Sequence, residues 1–172
     1  MKFKLTIVLL VFTACVINAG EITAGNLKLQ VPDAWRVEQP NSSMRKAQLR
    51  IPAAEGDKDD GEYVVFYFGP QQGGSVRANI DRWIGQFEAE GRNVVESAGD
   101  AAAGKYNLAS ITGTYNKPVG PPIMRKSVAT PGQKMLAVVL QTDSGSYFIK
   151  FTGPQKTVTA AEKDFKASFG AK

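Results

Sequence analysis

Ser43 and Lys46 stand three residues apart, the spacing at which a lysine can activate a serine nucleophile. None of the companion motifs of such an enzyme appears, and Lys46 falls on an alternating, strand-like stretch instead of a helix. The pair, with Ser42 beside it, reads as a serine turn and a solvated lysine. The 172 residues include no histidine, which excludes Ser-His-Asp and Cys-His machinery and any histidine-bearing zinc site. Gly69-Pro70-Gln71-Gln72-Gly73-Gly74-Ser75 has glycines at phosphate-loop spacing, but the lysine that should precede the serine is missing. What remains is a candidate weak anion site at Gly73, Gly74, Ser75 and Arg77, where a helix start offers free N–H groups. A tight strand-to-helix turn is the plainer reading. Glu55, Asp57, Asp59, Asp60 and Glu62 form an acidic cluster whose glycine is misplaced for a helix-loop-helix calcium loop, so it reads as a solvated hairpin loop. Arg45, Lys46, Arg50, Arg125, Lys126 and Lys134 would form one basic patch if residues 116–131 folded over the strand 44–51. Such a patch would suit an acidic partner or an anionic membrane surface; scattered surface charge is the alternative. No catalytic residue, metal or cofactor is expected.

The elements that must carry these residues are strands and two helices. Tyr63-Val64-Val65-Phe66-Tyr67-Phe68 is an unbroken β-favouring run between glycines, suited to an internal strand. After the glycine turn, Ser75 can cap a helix on which Val76, Ile80, Trp83, Ile84 and Phe87 share one side, with Gly91 as the stop. Leu27 to Val31 and Met44 to Ile51 alternate with period two, which means one wet face and one dry face of an antiparallel sheet. In the second of these, Ala47, Leu49 and Ile51 oppose Lys46, Gln48 and Arg50. Residues 93–97 and 105–115 read as strands, and 116–131, with four prolines, as an irregular excursion. Residues 134–141 and 147–153 form a hairpin about a tight turn at Thr142 to Ser146. From Pro154 a last helix places Val158, Ala161, Phe165 and Phe169 on one stripe. The expected fold class is α+β, one antiparallel sheet packed with helices. Trp35, Phe66, Ile80, Trp83, Phe87 and Phe165 are its expected core.

Lys2 and Lys4 precede an apolar run from Leu5 to Ala14, the form of a secretory signal. Two processing outcomes follow. Cleavage after Ala19 makes residues 1–19 the signal peptide, although bulky Ile17 stands where a small residue is preferred. Alternatively Val11-Phe12-Thr13-Ala14-Cys15 looks like a lipobox, the signal is 1–14, and Cys15 becomes a lipidated N-terminus. Residues 20–26 then read as a tether and 27–172 as a single domain. Without Lys2 and Lys4 the net charge falls from +5 to +3, and together with export this makes nucleic acid an unexpected partner.

Val31-Pro32-Asp33-Ala34-Trp35 closes the first strand, and Tyr147-Phe148-Ile149-Lys150-Phe151-Thr152-Gly153-Pro154 feeds the last helix. With the segments Asn41 to Pro52, Tyr63 to Gln86 and Tyr147 to Ala161, this pattern resembles the PsbP-like fold. That fold is named for an extrinsic photosystem subunit and shared with the Ran-binding Mog protein. The likeness is closer to small exported bacterial proteins of the same fold with no assigned activity. It spans most of the mature chain and rests on structural motifs. It implies an α/β/α sandwich and a binding or assembly role, generally without catalysis. The metal-linked histidines of the photosystem proteins have no match here.

The functional expectation is an exported, non-catalytic binding or accessory protein on the periplasmic side of a bacterial membrane. Its expected partner is a protein or acidic surface in the envelope, with the membrane reached through the lipid anchor. The alternatives are a small-ligand carrier with a pocket between the sheet and residues 116–131, and a histidine-independent hydrolase. Lipidation at Cys15 predicts a mature N-terminus that carries more than one acyl chain and stays at the bilayer. Mass spectrometry of the N-terminus recovered from native membranes checks this; an unmodified chain beginning at Gly20 in the soluble envelope fraction contradicts it.

Overall fold

Residues with alternating or continuous apolar character pair into nine strands, and the computed structural model describes them over residues 19–172, apart from Asn41, Pro121 and Arg125. The leader, with Cys15, lies outside the described residues. In chain order the strands and helices are β1 (Ala19–Ala24), β2 (Leu27–Pro32), β3 (Arg36–Glu38), β4 (Arg45–Ile51), β5 (Gly61–Tyr67), α1 (Val76–Ile84), β6 (Asn93–Ala101), β7 (Gly104–Pro118), β8 (Ser127–Thr142), β9 (Gly145–Pro154), α2 (Gln155–Ala160) and α3 (Glu162–Ser168). Seven strands form one antiparallel sheet in the order β3-β4-β5-β9-β8-β7-β6, and β1 and β2 form a separate hairpin. The fold is α+β, with most of the chain in strands. No helix among the described residues is long and apolar enough to cross a membrane.

The central strand β8 explains the layering. From Met135 to Leu140 every side chain is buried, because both faces of the sheet are covered there. Leu136, Val138 and Leu140 face one core with Tyr63, Val65, Ile149 and Phe151, closed by Leu27, Leu29 and Val31 of the hairpin and by Val158, Phe165 and Phe169 of the C-terminal helices. Met135, Ala137 and Val139 face a second core with Phe148, Ile111 and, from α1, Ile80 and Trp83. Lys134 has the parity of the first face. Its Nζ lies 2.7 Å from Glu162 Oε2 and 3.3 Å from Thr159 Oγ1, which ties the start of α3 to the sheet. Burial pushes the Glu162 carboxyl up, but hydrogen bonds from Lys134 and Lys166 outweigh it and hold it below its ordinary range.

Helix α1 is set by local chemistry at both ends. The Ser75 hydroxyl accepts from the Ala78 N–H at 3.2 Å, and the buried Asn79 side chain donates to the carbonyls of Gly73 and Ser75. Gly73 has φ 96°, and a Cβ there would collide with the Phe148 ring, so both backbone and space demand glycine. At the other end Arg92 donates to the carbonyls of Ile84 and Phe87, 3.1 Å each.

Several expectations are corrected. Residues 20–26, expected as a tether, fall largely in the β1–β2 hairpin: Ala19–Ala24 pairs with β2 as a strand and places Ala24 in the first core. The helix ends at Ile84, not beyond Phe87. Phe87 instead bridges to Tyr115, and its neighbours bond β7 through Glu88 N–H to Thr114 O and Asn116 N–H to Gln86 O. Residues 116–131 are largely a continuation of the β7–β8 ladder, which runs to Pro118↔Ser127. Of its prolines, Pro131 falls with Gly132 in a register shift, where the ladder needs no N–H from it, Pro118 stands at the last pair of the ladder, and Pro122 opens a short 3₁₀ turn. The last helix is two short ones with a break at Ala161, whose φ of −96° leaves the helical region.

Trp83 is 2 % exposed and stands edge-on to Phe148, with centroids 6.5 Å apart. Trp83→Ala should lower stability by about 3–5 kcal/mol. Exposed Val95→Ala should change it by no more than about 0.5 kcal/mol. Urea unfolding of both variants measures the contrast.

Candidate functional site

A nine-residue helix lies over only part of its sheet face. Beside it β4, β5 and β9 present polar and charged side chains where a core would otherwise be. On this face β5 contributes Glu62, Val64 and Phe66, and the register sets Arg50 and Thr152 on either side of Glu62, and Gln48 and Lys150 on either side of Val64. A bulge between Arg45 and Ala47 brings Arg45 to this face as well, opposite Phe66. Its guanidinium sits 5.6 Å from the Phe66 ring centroid. Gln86 and Tyr115, held by the pairing of residues 86–88 with β7, form one wall. Lys117, Pro118, Thr130 and Gln133 of the β7–β8 arm, with Asp59 and Asp60 of the loop before β5, complete the rim. The result is a groove of about 520 Å³. A smaller recess of about 170 Å³ adjoins it between Phe66, Phe68, Trp83 and Phe148, and shares Phe66, Gln86 and Lys150 with it.

Most of the charge on this face is internally committed. Arg50 donates twice to Glu38, Nε to Oε1 and Nη2 to Oε2, both at 3.1 Å, and Gln48 donates to the same carboxylate at 3.0 Å. The Arg50 and Gln48 hydrogen bonds hold the Glu38 carboxyl below its usual range. Arg45 Nη1 reaches both Glu62 Oε1 and Gln48 Oε1 at 2.9 Å. Lys150 differs. Its Nζ donates to the neutral amide oxygen of Gln86 at 3.0 Å and lies where groove and recess meet. Desolvation pulls its amine down to about 8, against the pull of Glu62 and with the help of Arg82 and Arg45. Tyr115 is pushed up to about 12, chiefly by burial and then by Glu62. The arrangement can therefore offer a cation, a phenol, an amide and an apolar recess to one small molecule.

The residues singled out from sequence are dispersed. Gly73, Gly74 and Ser75 form the capping turn of α1, with the Ser75 hydroxyl used by Ala78 and the Gly73 carbonyl by Asn79. Arg77 is paired with Asp81 and with Glu96. The five basic residues that are described do not make one patch: Arg45 and Arg50 lie in the groove, Lys134 reaches across the opposite face to Glu162, and Lys126 sits at the far end of the β7–β8 arm. Lys46 is exposed and donates to the Ser43 carbonyl, 3.0 Å away, rather than to its hydroxyl. Arg125 lies outside the described residues. In the acidic cluster, Asp57 accepts from the Thr157 N–H and hydroxyl in the first turn of α2, and Asp60 accepts from Ala53 N–H and from Arg36. Among the described residues no three His, Cys, Asp or Glu side chains converge on a metal position. Of the expected core, Trp35, Ile80, Trp83, Phe87 and Phe165 are buried, whereas Phe66 is partly exposed and lines the groove. Sequence reasoning missed Lys150 and Glu62 as groove residues. The available signal was a single charge on a strand otherwise apolar on both faces.

Compared with known proteins, the sequence matches no family model and no curated protein.

A lysine whose folded-state value lies below its unfolded one releases its proton first in the fold. Stability from this group therefore rises with pH between about 8 and the ordinary 10.5, because the unfolded chain still holds the proton there. A side-chain NMR titration, with Lys150→Met for assignment, should give a midpoint near 8. Urea midpoints should shift in favour of the parent over Lys150→Met across the same window. A midpoint at the ordinary value of 10.5 contradicts the desolvated amine.

Proposed function

We propose that the protein is a non-catalytic binding or accessory protein of the cell envelope, of PsbP-like α/β/α architecture, and that its binding site is the groove at Lys150. The ligand class is a small molecule with an anionic head and an apolar or aromatic body. One observation carries the reading. The Lys150 amine, hydrogen-bonded to a neutral amide, stands at the junction of a polar groove and an aromatic recess. An anion placed there gives the desolvated ammonium a direct charged hydrogen-bond partner, which the neutral Gln86 amide is not, while Phe66, Phe68 and Trp83 accept the apolar part. Arg82 sits at the mouth of the same recess and strengthens the preference for negative charge. The sandwich architecture has support from the placement of α1 on one sheet face and α2 and α3 on the other.

Fluorescence titration with 1-anilinonaphthalene-8-sulfonate, an aromatic anion, tests the reading on the intact chain. The expected result is saturable binding that weakens about tenfold, or about 1.4 kcal/mol, in Lys150→Met and in Phe66→Ala. Affinity should also fall as pH rises through about 8, where Lys150 loses its proton. Binding that is indifferent to both substitutions removes the groove as the site.

A further inference from the structure

The β7–β8 ladder outruns its neighbours. Strand β6 pairs with β7 only as far as Thr112, and β9 pairs with β8 only from Gln133 onward. Beyond those points the two strands continue together from Tyr115↔Thr130 to Pro118↔Ser127, and the Val119 N–H closes the end on the Lys126 carbonyl at 3.0 Å. A short 3₁₀ turn, Pro122–Met124, forms the tip. A two-stranded ribbon that leaves its sheet has no core to bury apolar side chains in, so its outward residues ought to be polar. They are not. Eight large apolar side chains are conspicuously exposed among the described residues, and four of them, Val119, Ile123, Met124 and Val128, lie on this tip. Ile123 is the extreme case at 89 %.

Charge points to what covers them. Between Asp100 and Asp143 the chain contains no aspartate or glutamate, yet lysines flank the tip at positions 117 and 126. Apolar residues at the point of a projecting arm, flanked by lysines on strands that carry no carboxylate of their own, match the layering of an anionic bilayer: acyl chains beneath, phosphate headgroups above. A protein partner would bring an apolar pocket with an acidic rim; nothing in the arm provides the extended flat area that such an interface needs, whereas an interfacial anchor needs only a few side chains.

We infer that the tip of the β7–β8 arm, through Ile123 and Met124 with Lys126 beside them, inserts into the headgroup layer of an anionic lipid surface. This is independent of the groove, because none of these three residues lines it.

The test places a reporter on the tip of the full chain. Ile123→Trp, with the parent spectrum subtracted for Trp35 and Trp83, is mixed with vesicles of phosphatidylcholine alone or of equal parts phosphatidylcholine and phosphatidylglycerol, with and without brominated acyl chains. Met124→Trp serves as a second reporter. The expected result is a blue shift and quenching by brominated lipid on the anionic vesicles only, reduced severalfold when Lys126→Glu is added. The signal arises at the tip itself, so an N-terminus that holds the chain on vesicles does not produce it. Emission that stays at the solvent-exposed wavelength on every vesicle overturns the inference. So does a shift induced by polyglutamate but not by lipid, which would assign the tip to an acidic protein.

Discussion

The ladder between Met135–Leu140 and Tyr147–Thr152 separates two cores, and everything else in the domain is arranged to cover its two sides. Coverage is unequal. One face receives the β1–β2 hairpin and both C-terminal helices; the other receives α1 alone. Seven strands spaced at about 4.8 Å span about 29 Å, whereas a helix with its side chains is about 10 Å across. A single short helix therefore leaves a strip of sheet bare. α1 lies over β7, β8 and β9, so the bare strip falls on β4 and β5 and the adjoining edge of β9. That strip is the groove.

An uncovered strip need not be sticky, and here it is made polar. Arg50 and Glu38, and Arg45 and Glu62, pair across neighbouring strands at the sheet edge, where partial solvent contact keeps the desolvation cost low. The same pairs neutralise the strip's obvious binding charges, since each guanidinium already faces a carboxylate. Lys150 lies one strand further in, closer to α1, where water is scarcer and a neutral amide is its hydrogen-bond partner. Position within the sheet, more than residue type, distinguishes the available cation from the committed ones.

Much of the fold was legible because strand signals are local. The alternation of Ala47, Leu49 and Ile51, the unbroken run from Met135 to Leu140, and the tight turn before Tyr147 each declare themselves within a few residues. The features that escaped are those fixed by distant partners. Residues 19–24 are short and carry little apolar character; they become a strand because β2 pairs with them. The prolines of 116–131 suggest irregularity until a ladder places one of them in a register shift. The groove was less legible still. Arg45 has the parity of the core residues Ala47 and Leu49, and only the bulge beside it turns it outward. Lys150 in Tyr-Phe-Ile-Lys-Phe resembles an ordinary solvent-facing position until Phe148, two residues earlier and on the same face, is seen packed against α1.

The strand order has a consequence for how the chain reaches this state. β3, β4 and β5 are consecutive neighbours, and so are β6, β7, β8 and β9, so each group can assemble from contacts close in sequence. Only the β5–β9 ladder joins the groups within the sheet, and it pairs Glu62 with Thr152, about 90 residues apart, a closure whose entropy must be met before its contacts form. Until β9 arrives, β5 has an open hydrogen-bonding edge rich in aromatic and β-branched residues, the form of edge that templates pairing with other chains. The step that completes the sheet is thus also the one that withdraws its most aggregation-prone segment, and synthesis from the N-terminus makes that segment wait for nearly the whole chain.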